Sequence, residues 1–190
     1  MYKVVIFDFF GLFCPDITLE WFTKTVPDYQ TKFAAYRALC TESDYGRLTR
    51  AAFNQKLADL VGLPVDQVTS GIEEETRVNT ALVQYVTGLK QQGYRIACLS
   101  NGTQEWTTRV IEASGLSDLF EILVLSGELG VIKPSPEIYT ATLQQLNVKA
   151  SEAVFVDDRE VNVRGAEACG IRSLLFTNTD SFIRDFEALI

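Results

Sequence analysis

Three aspartates, a serine and a lysine stand where chemistry is easiest to build. Asp8 directly follows the apolar run Val4 to Phe7, Ser100-Asn101-Gly102 follows Ile96 to Leu99, and Asp157-Asp158 follows Ala153 to Val156. Lys133 lies a short loop beyond Ile122 to Leu125, in Gly130-Val131-Ile132-Lys133-Pro134. Carboxylates can act as nucleophiles or hold a hard cation, and an ammonium can neutralise an anion. Three carboxylates brought together repel one another; the remedies are a raised pKa, a cation such as Lys133, or a bound divalent metal. A lone Asp after a strand is more often a cap or turn former, so the weight rests on the set. The chain has no His, which removes Ser-His and Cys-His nucleophile pairs and any imidazole-ligated zinc.

These groups meet only if the chain folds as an open parallel sheet, where loops at the carboxyl ends of the strands converge on a crevice. The four apolar runs, with a fifth at Ser173 to Phe176, are continuous, as in strands covered on both faces. Between them lie helical stripes, such as Trp106, Val110 and Ile111, then Tyr139, Leu143 and Leu146, then Phe182, Phe186 and Leu189. The alternation predicts a doubly wound α/β fold. Ser135 is a candidate cap with Pro136 at the first helical position, and Thr103 or Asn101 can cap the helix after the second strand. From about Cys14 to Asn79 the rhythm breaks and only helical stripes remain, including Phe53, Leu57, Leu60 and Val61. The expected organisation is a core of 1–13 and 80–190 with a helical cap over 14–79. The helix carrying Leu82, Val86 and Leu89 ends at Gly93, a left-handed stop.

With 17 Lys and Arg against 25 Asp and Glu, the formal charge of the 190 residues is −8 and no basic run breaks it, which argues against a nucleic-acid partner. No apolar run approaches the ~20 residues that span a bilayer, and the N-terminus lacks the basic start of a signal peptide. Cys14, Cys40, Cys98 and Cys169 are far apart and read as reduced core thiols. The expectation is a cytoplasmic protein with no membrane partner; the oligomeric state is left open.

Val5-Ile6-Phe7-Asp8-Phe9-Phe10-Gly11, Leu99-Ser100-Asn101-Gly102, the Lys133 loop with Pro136 and Tyr139, and Phe155-Val156-Asp157-Asp158 with Asn162-Val163 and Gly170 resemble the four motifs of the haloacid dehalogenase superfamily. They stand in its order and spacing, and the helical insertion sits where members with a small helical (C1-type) cap carry it. The resemblance covers essentially the whole chain and implies a Rossmann-like core and a hydrolase. It implies Asp8 as a nucleophile forming a covalent aspartyl intermediate, Ser100 as a hydrogen-bond partner of the transferring group, and Lys133 as the neutralising cation. Backbone N–H groups around Asn101 and Gly102 would help bind substrate. Mg²⁺ would be held by Asp8, Asp158 with Asp157, and the carbonyl of Phe10, and the substrate would be a small phosphorylated molecule.

Position 10 departs from that pattern. Phosphatases of the superfamily carry a second aspartate two residues after the nucleophile, and here the residue is Phe10. General acid and base catalysis contributes ~10²- to 10⁴-fold, so its loss implies a slow enzyme unless something replaces it. An aromatic residue there, together with Asn101-Gly102, resembles the metal-free dehalogenase branch, but Asp157-Asp158 does not, since those enzymes carry uncharged residues at that point. Three readings follow: a Mg²⁺-dependent phosphoester hydrolase, a binding or regulatory scaffold without turnover, and a 2-haloacid dehalogenase. Trp21, Phe22 and Tyr29 read as core, Glu73-Glu74-Glu75 as a solvated face, Cys14 as a passive thiol, Arg159 as a partner for a neighbouring carboxylate or substrate, and Asn162 as a support for the loop carrying the acids.

Overall fold

The computed structural model describes residues 2–190; Met1, the first residue of the expected core segment, lies outside them. Five parallel strands, β1 (Val4–Phe7), β2 (Arg95–Ser100), β3 (Ile122–Leu125), β4 (Ala153–Asp157) and β5 (Arg172–Leu175), form one sheet in the order β3-β2-β1-β4-β5. The chain winds outward from β1 to β3 and then returns to β4, so its direction reverses between β1 and β4, where such sheets open their crevice. Alternation along β1 divides the interior. Val5 and Phe7 enter one apolar cluster with Leu82 and Val86 of α5 (Thr80–Gln91), Val110 and Ile111 of α6 (Gln104–Ala113), and Phe182 and Phe186 of α10 (Thr179–Glu187). Val4 and Ile6 enter the other, with Ile138 and Tyr139 of α8 (Pro136–Leu146) and Ala166 of α9 (Glu160–Ala168).

The expected strand Ser173 to Phe176 is displaced by one residue. β5 is an edge strand whose Arg172 is exposed and whose Leu175 is 42% exposed, so its apolar pattern marks it only weakly. Thr103 caps α6 through its hydroxyl, whereas Ser135 stands at the N-cap of α8 with its hydroxyl turned to Glu137. Gly93 follows α5 with φ +96°, the left-handed conformation that ends a helix at no steric cost.

Four helices fill the segment between β1 and α5: α1 (Ile17–Thr25), α2 (Tyr29–Asp44), α3 (Arg50–Val61) and α4 (Val65–Glu74). Their apolar faces continue the β1 cluster: Trp21, Phe22, Tyr36, Phe53, Leu57, Val68 and Ile72 are all buried in it. Phe22 and Tyr36 stack with ring centroids 4.3 Å apart. Chain entry and exit lie side by side, because the Asn79 N–H donates to the Phe13 carbonyl (2.9 Å) and its side-chain amide to the Leu12 carbonyl (3.1 Å). The acidic run is not simply solvated: Glu73 pairs with Arg109 of α6 (2.7 Å) and Glu75 with Lys24 of α1 (2.6 Å), exposed contacts worth ~0–1 kcal/mol each.

Replacing Phe22 by Ala removes a fully buried ring from a stack that joins α1 to α2. The expected cost is about 3–5 kcal/mol, read as a lowered urea midpoint in equilibrium unfolding.

Candidate active site

Asp8, the residue after β1, is 7% exposed, and Asp157 at the end of β4 is fully buried. Between them lies the Lys133 ammonium, 2.8 Å from Asp8 Oδ2 and 2.7 Å from Asp157 Oδ2, which also donates to the Leu99 carbonyl at 2.9 Å. One side chain therefore ties β1, β2 and β4 together at their carboxyl ends. Burial alone would lower the pKa of this ammonium, but the charges of Asp8 and Asp157 and the hydrogen bonds to them outweigh it and hold it above its ordinary range. Burial raises the Asp8 carboxyl, against the pull of Lys133 and with the push of Asp157 and Asp158. Asp158 is raised too, by burial first and then by Asp157.

Supports for this ion cluster come from the neighbouring loops. The amide of Asn101 clasps the backbone of Lys133, accepting from its N–H (2.8 Å) and donating to its carbonyl (3.2 Å). Asn162 donates to both oxygens of Asp157 (2.9 and 3.1 Å), and the Arg159 N–H adds a third donor to that carboxylate (2.9 Å). Tyr139 in turn donates its hydroxyl to the Asn162 carbonyl (2.8 Å). Gly11, at φ +90°, lies where any Cβ would stand 2.3 Å from Asp158 Oδ2, so only glycine lets the acid approach this turn.

Asp8, Asp157 and Asp158 each offer an oxygen within 4.8 Å of the others. Two negative charges remain beyond what Lys133 neutralises, and the donors are oxygen only, which suits a small hard cation. Asp157 already accepts bonds on both oxygens. Asp8 Oδ1 accepts only from the Phe9 N–H (2.7 Å), and among the described residues no hydrogen bond reaches the Phe10 carbonyl. The Ser100 hydroxyl is buried and without a partner, a polar atom that wants a ligand.

These groups open on a crevice of about 150 Å³. Its far wall comes from the insertion, with Asp16, Arg37, Asp44 and Arg50 among the residues that face it. The Arg50 guanidinium carbon lies over the Trp106 ring, 3.6 Å from its centroid, with Nε and Nη2 buried and unpaired. Arg159 also lines the crevice and makes no ion pair within 4.0 Å among the described residues. Asn101 and Gly102 line it too, but the Asn101 side chain is committed to Lys133 and the Gly102 N–H to Ser126 Oγ (2.9 Å). Cys14 is buried, away from the crevice, and burial pushes its thiol up to about 11, which leaves it inert.

Sequence reasoning missed Ser126, Asp44 and Arg50. Ser126 follows β3 directly, at the start of the short helix α7 (Ser126–Leu129), so the strand-end rule that singled out Asp8 and Ser100 applies to it. Asp44 and Arg50 carry no such local signal, being polar residues at the ends of amphipathic helices.

A parallel sheet with an aspartate after its first strand, facing a buried lysine and an acidic pair after its fourth, defines a hydrolase of the haloacid dehalogenase kind. The chain belongs to that family: its haloacid dehalogenase-like hydrolase model matches residues 2–170. The chain is 28% identical over 190 residues to D-ribitol-5-phosphate phosphatase of Bacteroides thetaiotaomicron, with 91% of each covered. It is 30% identical over 127 residues to mouse bifunctional epoxide hydrolase 2, a match covering 65% of this chain and 23% of that protein; the first curated relatives are matched over less than two fifths of their own length. Among solved structures, the family enzyme bt-2542 from Bacteroides thetaiotaomicron, in complex with magnesium and inorganic phosphate, superposes with a TM-score of 0.77 at 22% identity, covering 92% of this chain and 94% of that one. Among the described residues no helix is long and apolar enough to cross a membrane.

Burial raises the Asp44 carboxyl from 3.8 to about 7, with Arg37 opposing and Asp16 adding to the rise. The folded state then holds a proton that the unfolded chain gives up, so on this group's account stability is lost as pH climbs from about 4 to about 7. Asp44→Asn removes that loss. Its urea midpoint relative to the parent is expected to rise between pH 5 and pH 8 in metal-free buffer, and an unchanged difference would contradict the raised value.

Proposed function

We propose that the chain is a Mg²⁺-dependent phosphoric monoester hydrolase acting on a small phosphorylated metabolite through an aspartyl-phosphate on Asp8. The observation that carries this is the charge arrangement, in which oxygens of Asp8, Asp157 and Asp158 lie within 4.8 Å of one another, Lys133 pairs with only the first two, and the hydroxyl of Ser100 stays buried and unpaired. The phosphatase relative aligned over 91% of both chains supports it.

Asp8, Asp158 and the Phe10 carbonyl would hold Mg²⁺, with Asp157 behind them. The bound ion would supply positive charge against the phosphoryl oxygens and relieve the repulsion among the acids. Asp8 attacks phosphorus, and the bond from phosphorus to the leaving oxygen breaks. Lys133 places its ammonium against Asp8 before the reaction, so the ionised nucleophile and the charge of the incoming phosphoryl group meet a fixed counter-charge. Ser100 donates to an oxygen of the transferring group. Asn101 and Gly102 shape the loop that presents Ser100, and water then releases phosphate from Asp8. The insertion, spanning 14–79, acts as the cap of a core made of 1–13 and 80–190. It limits the substrate to one that fits a closed crevice and shields the intermediate from bulk water. A small anion fits this site; nucleic acid and membrane are not its partners, and the cytoplasm is where such a metabolite would be met.

Phe10 favours a second reading, a scaffold that binds Mg²⁺ and phosphate without turnover. The two separate on p-nitrophenyl phosphate. The hydrolase releases nitrophenol only with Mg²⁺ present, stops with excess chelator, and falls at least ~10³-fold in Asp8→Asn. No release at any Mg²⁺ concentration sinks the hydrolase, and chloride release from a 2-haloacid without metal would favour the dehalogenase.

A further inference from the structure

The crevice holds an acid that the nucleophile loop does not provide. Position 10 contributes a phenyl ring, packed edge-on against Phe9 with centroids 5.1 Å apart, and a ring can neither give nor take a proton. The other carboxylates in or beside the crevice have other parts. Asp8 and the buried Asp157 are bonded to Lys133, Asp158 stands with them in the set of oxygens that would hold the metal, and Asp16 caps α1 by accepting the Leu19 N–H (3.1 Å). Asp44 remains. Its side chain lines the crevice and has no hydrogen bond or ion pair among the described residues.

Its backbone, by contrast, is pinned to the catalytic side. Ser126 Oγ donates to the Asp44 carbonyl (2.5 Å) and accepts from the Gly102 N–H (2.9 Å), so one hydroxyl joins the end of α2 to the loop that carries Ser100. Two residues on, Gly46 at φ +73° meets Gly127 so closely that a Cβ would stand 2.1 Å from its carbonyl oxygen. The end of α2 is thus docked on the core, which gives the side chain a defined place.

We propose that Asp44 is the general acid and base of the hydrolysis, taking the part that Phe10 leaves vacant. The proposal rests on the hydrolase reading. In an in-line displacement the leaving oxygen departs on the side of phosphorus opposite the attacking Asp8, into the crevice that Asp8 and Asp44 both line. As the phosphorus–oxygen bond breaks, the Asp44 carboxyl gives its proton to the leaving alkoxide. In the second step its carboxylate takes a proton from water, whose oxygen attacks phosphorus and frees the Asp8 carboxylate and inorganic phosphate. A burial-raised carboxyl suits both steps, since an acid works best with a pKa close to the operating pH.

The test compares an alkyl phosphate, glycerol 3-phosphate, with p-nitrophenyl phosphate, whose leaving group departs without a proton. Asp44→Asn is expected to lower kcat/KM, which reads phosphoryl transfer to Asp8, by about 10²-fold or more for the alkyl ester, the size of a general-acid contribution, and by less than about tenfold for the aryl ester. Loss of the base in the second step lowers kcat for both. Phe10→Asp added to Asp44→Asn is expected to restore at least a tenth of the lost alkyl rate. Equal losses of kcat/KM on both esters, no loss on either, or the selective loss appearing in Asp16→Asn instead would each overturn the assignment while leaving the hydrolase reading standing. A parent protein that releases nothing from the aryl ester overturns both. If melting shows that Asp44→Asn disturbs the fold, Phe10→Asp alone decides: an alkyl-ester gain below tenfold is expected where Asp44 already acts, and a hundredfold gain would show that nothing did.

Discussion

The Lys133 ammonium is the interaction on which the rest depends. It is 2% exposed and touches Asp8, Asp157 and the Leu99 carbonyl within 2.9 Å. A buried charge of this kind is costly unless its partners are placed with good geometry, and here three adjacent strands supply one partner each. The cluster can form only if β2, β1 and β4 end at the same level, which their in-register parallel pairing provides. The same pairing ensures that the nucleophile loop, the serine loop and the acidic pair share one crevice.

Around that ion cluster nearly every buried polar atom has a partner, which is what allows it to be rigid. Asn101 holds the Lys133 backbone, Asn162 holds Asp157, and Tyr139 holds Asn162 while its ring packs edge-on against Phe155 of β4. The exceptions are informative. The Ser100 hydroxyl, the Asn162 Oδ1 and two nitrogens of Arg50 are buried without partners and belong to residues that line the crevice. Unsatisfied groups are expected where a ligand completes the set.

The insertion shares its apolar interior with the face of the sheet that carries Val5 and Phe7, and it is latched to the core through Ser126 and the Gly46–Gly127 contact. Its position over the crevice is therefore specified by packing and by hydrogen bonds at the far end of α2. The end of α2 that carries Asp44 is thereby fixed beside the loop that carries Ser100.

Much of the core was legible in the residues. Four of the five strands, and the polar groups that end β1, β2 and β4, follow from short-range signals, namely continuous apolar runs and the residues that end them, and the family motifs placed Asp8, Ser100, Lys133 and the acidic pair in one site. The roles of individual groups within that site were less legible. Backbone N–H groups around Asn101 and Gly102 read as substrate contacts, and no signal in the sequence showed that the Asn101 side chain holds Lys133 or that the Gly102 N–H bonds to Ser126; β5 is displaced by one residue because an edge strand lacks the two-sided apolar pattern. Asp44 and Arg50 were invisible as site residues. A polar side chain near a helix end looks the same whether it meets water or a catalytic crevice, and only the docking of one element on another, a long-range event with no local signature, decides which.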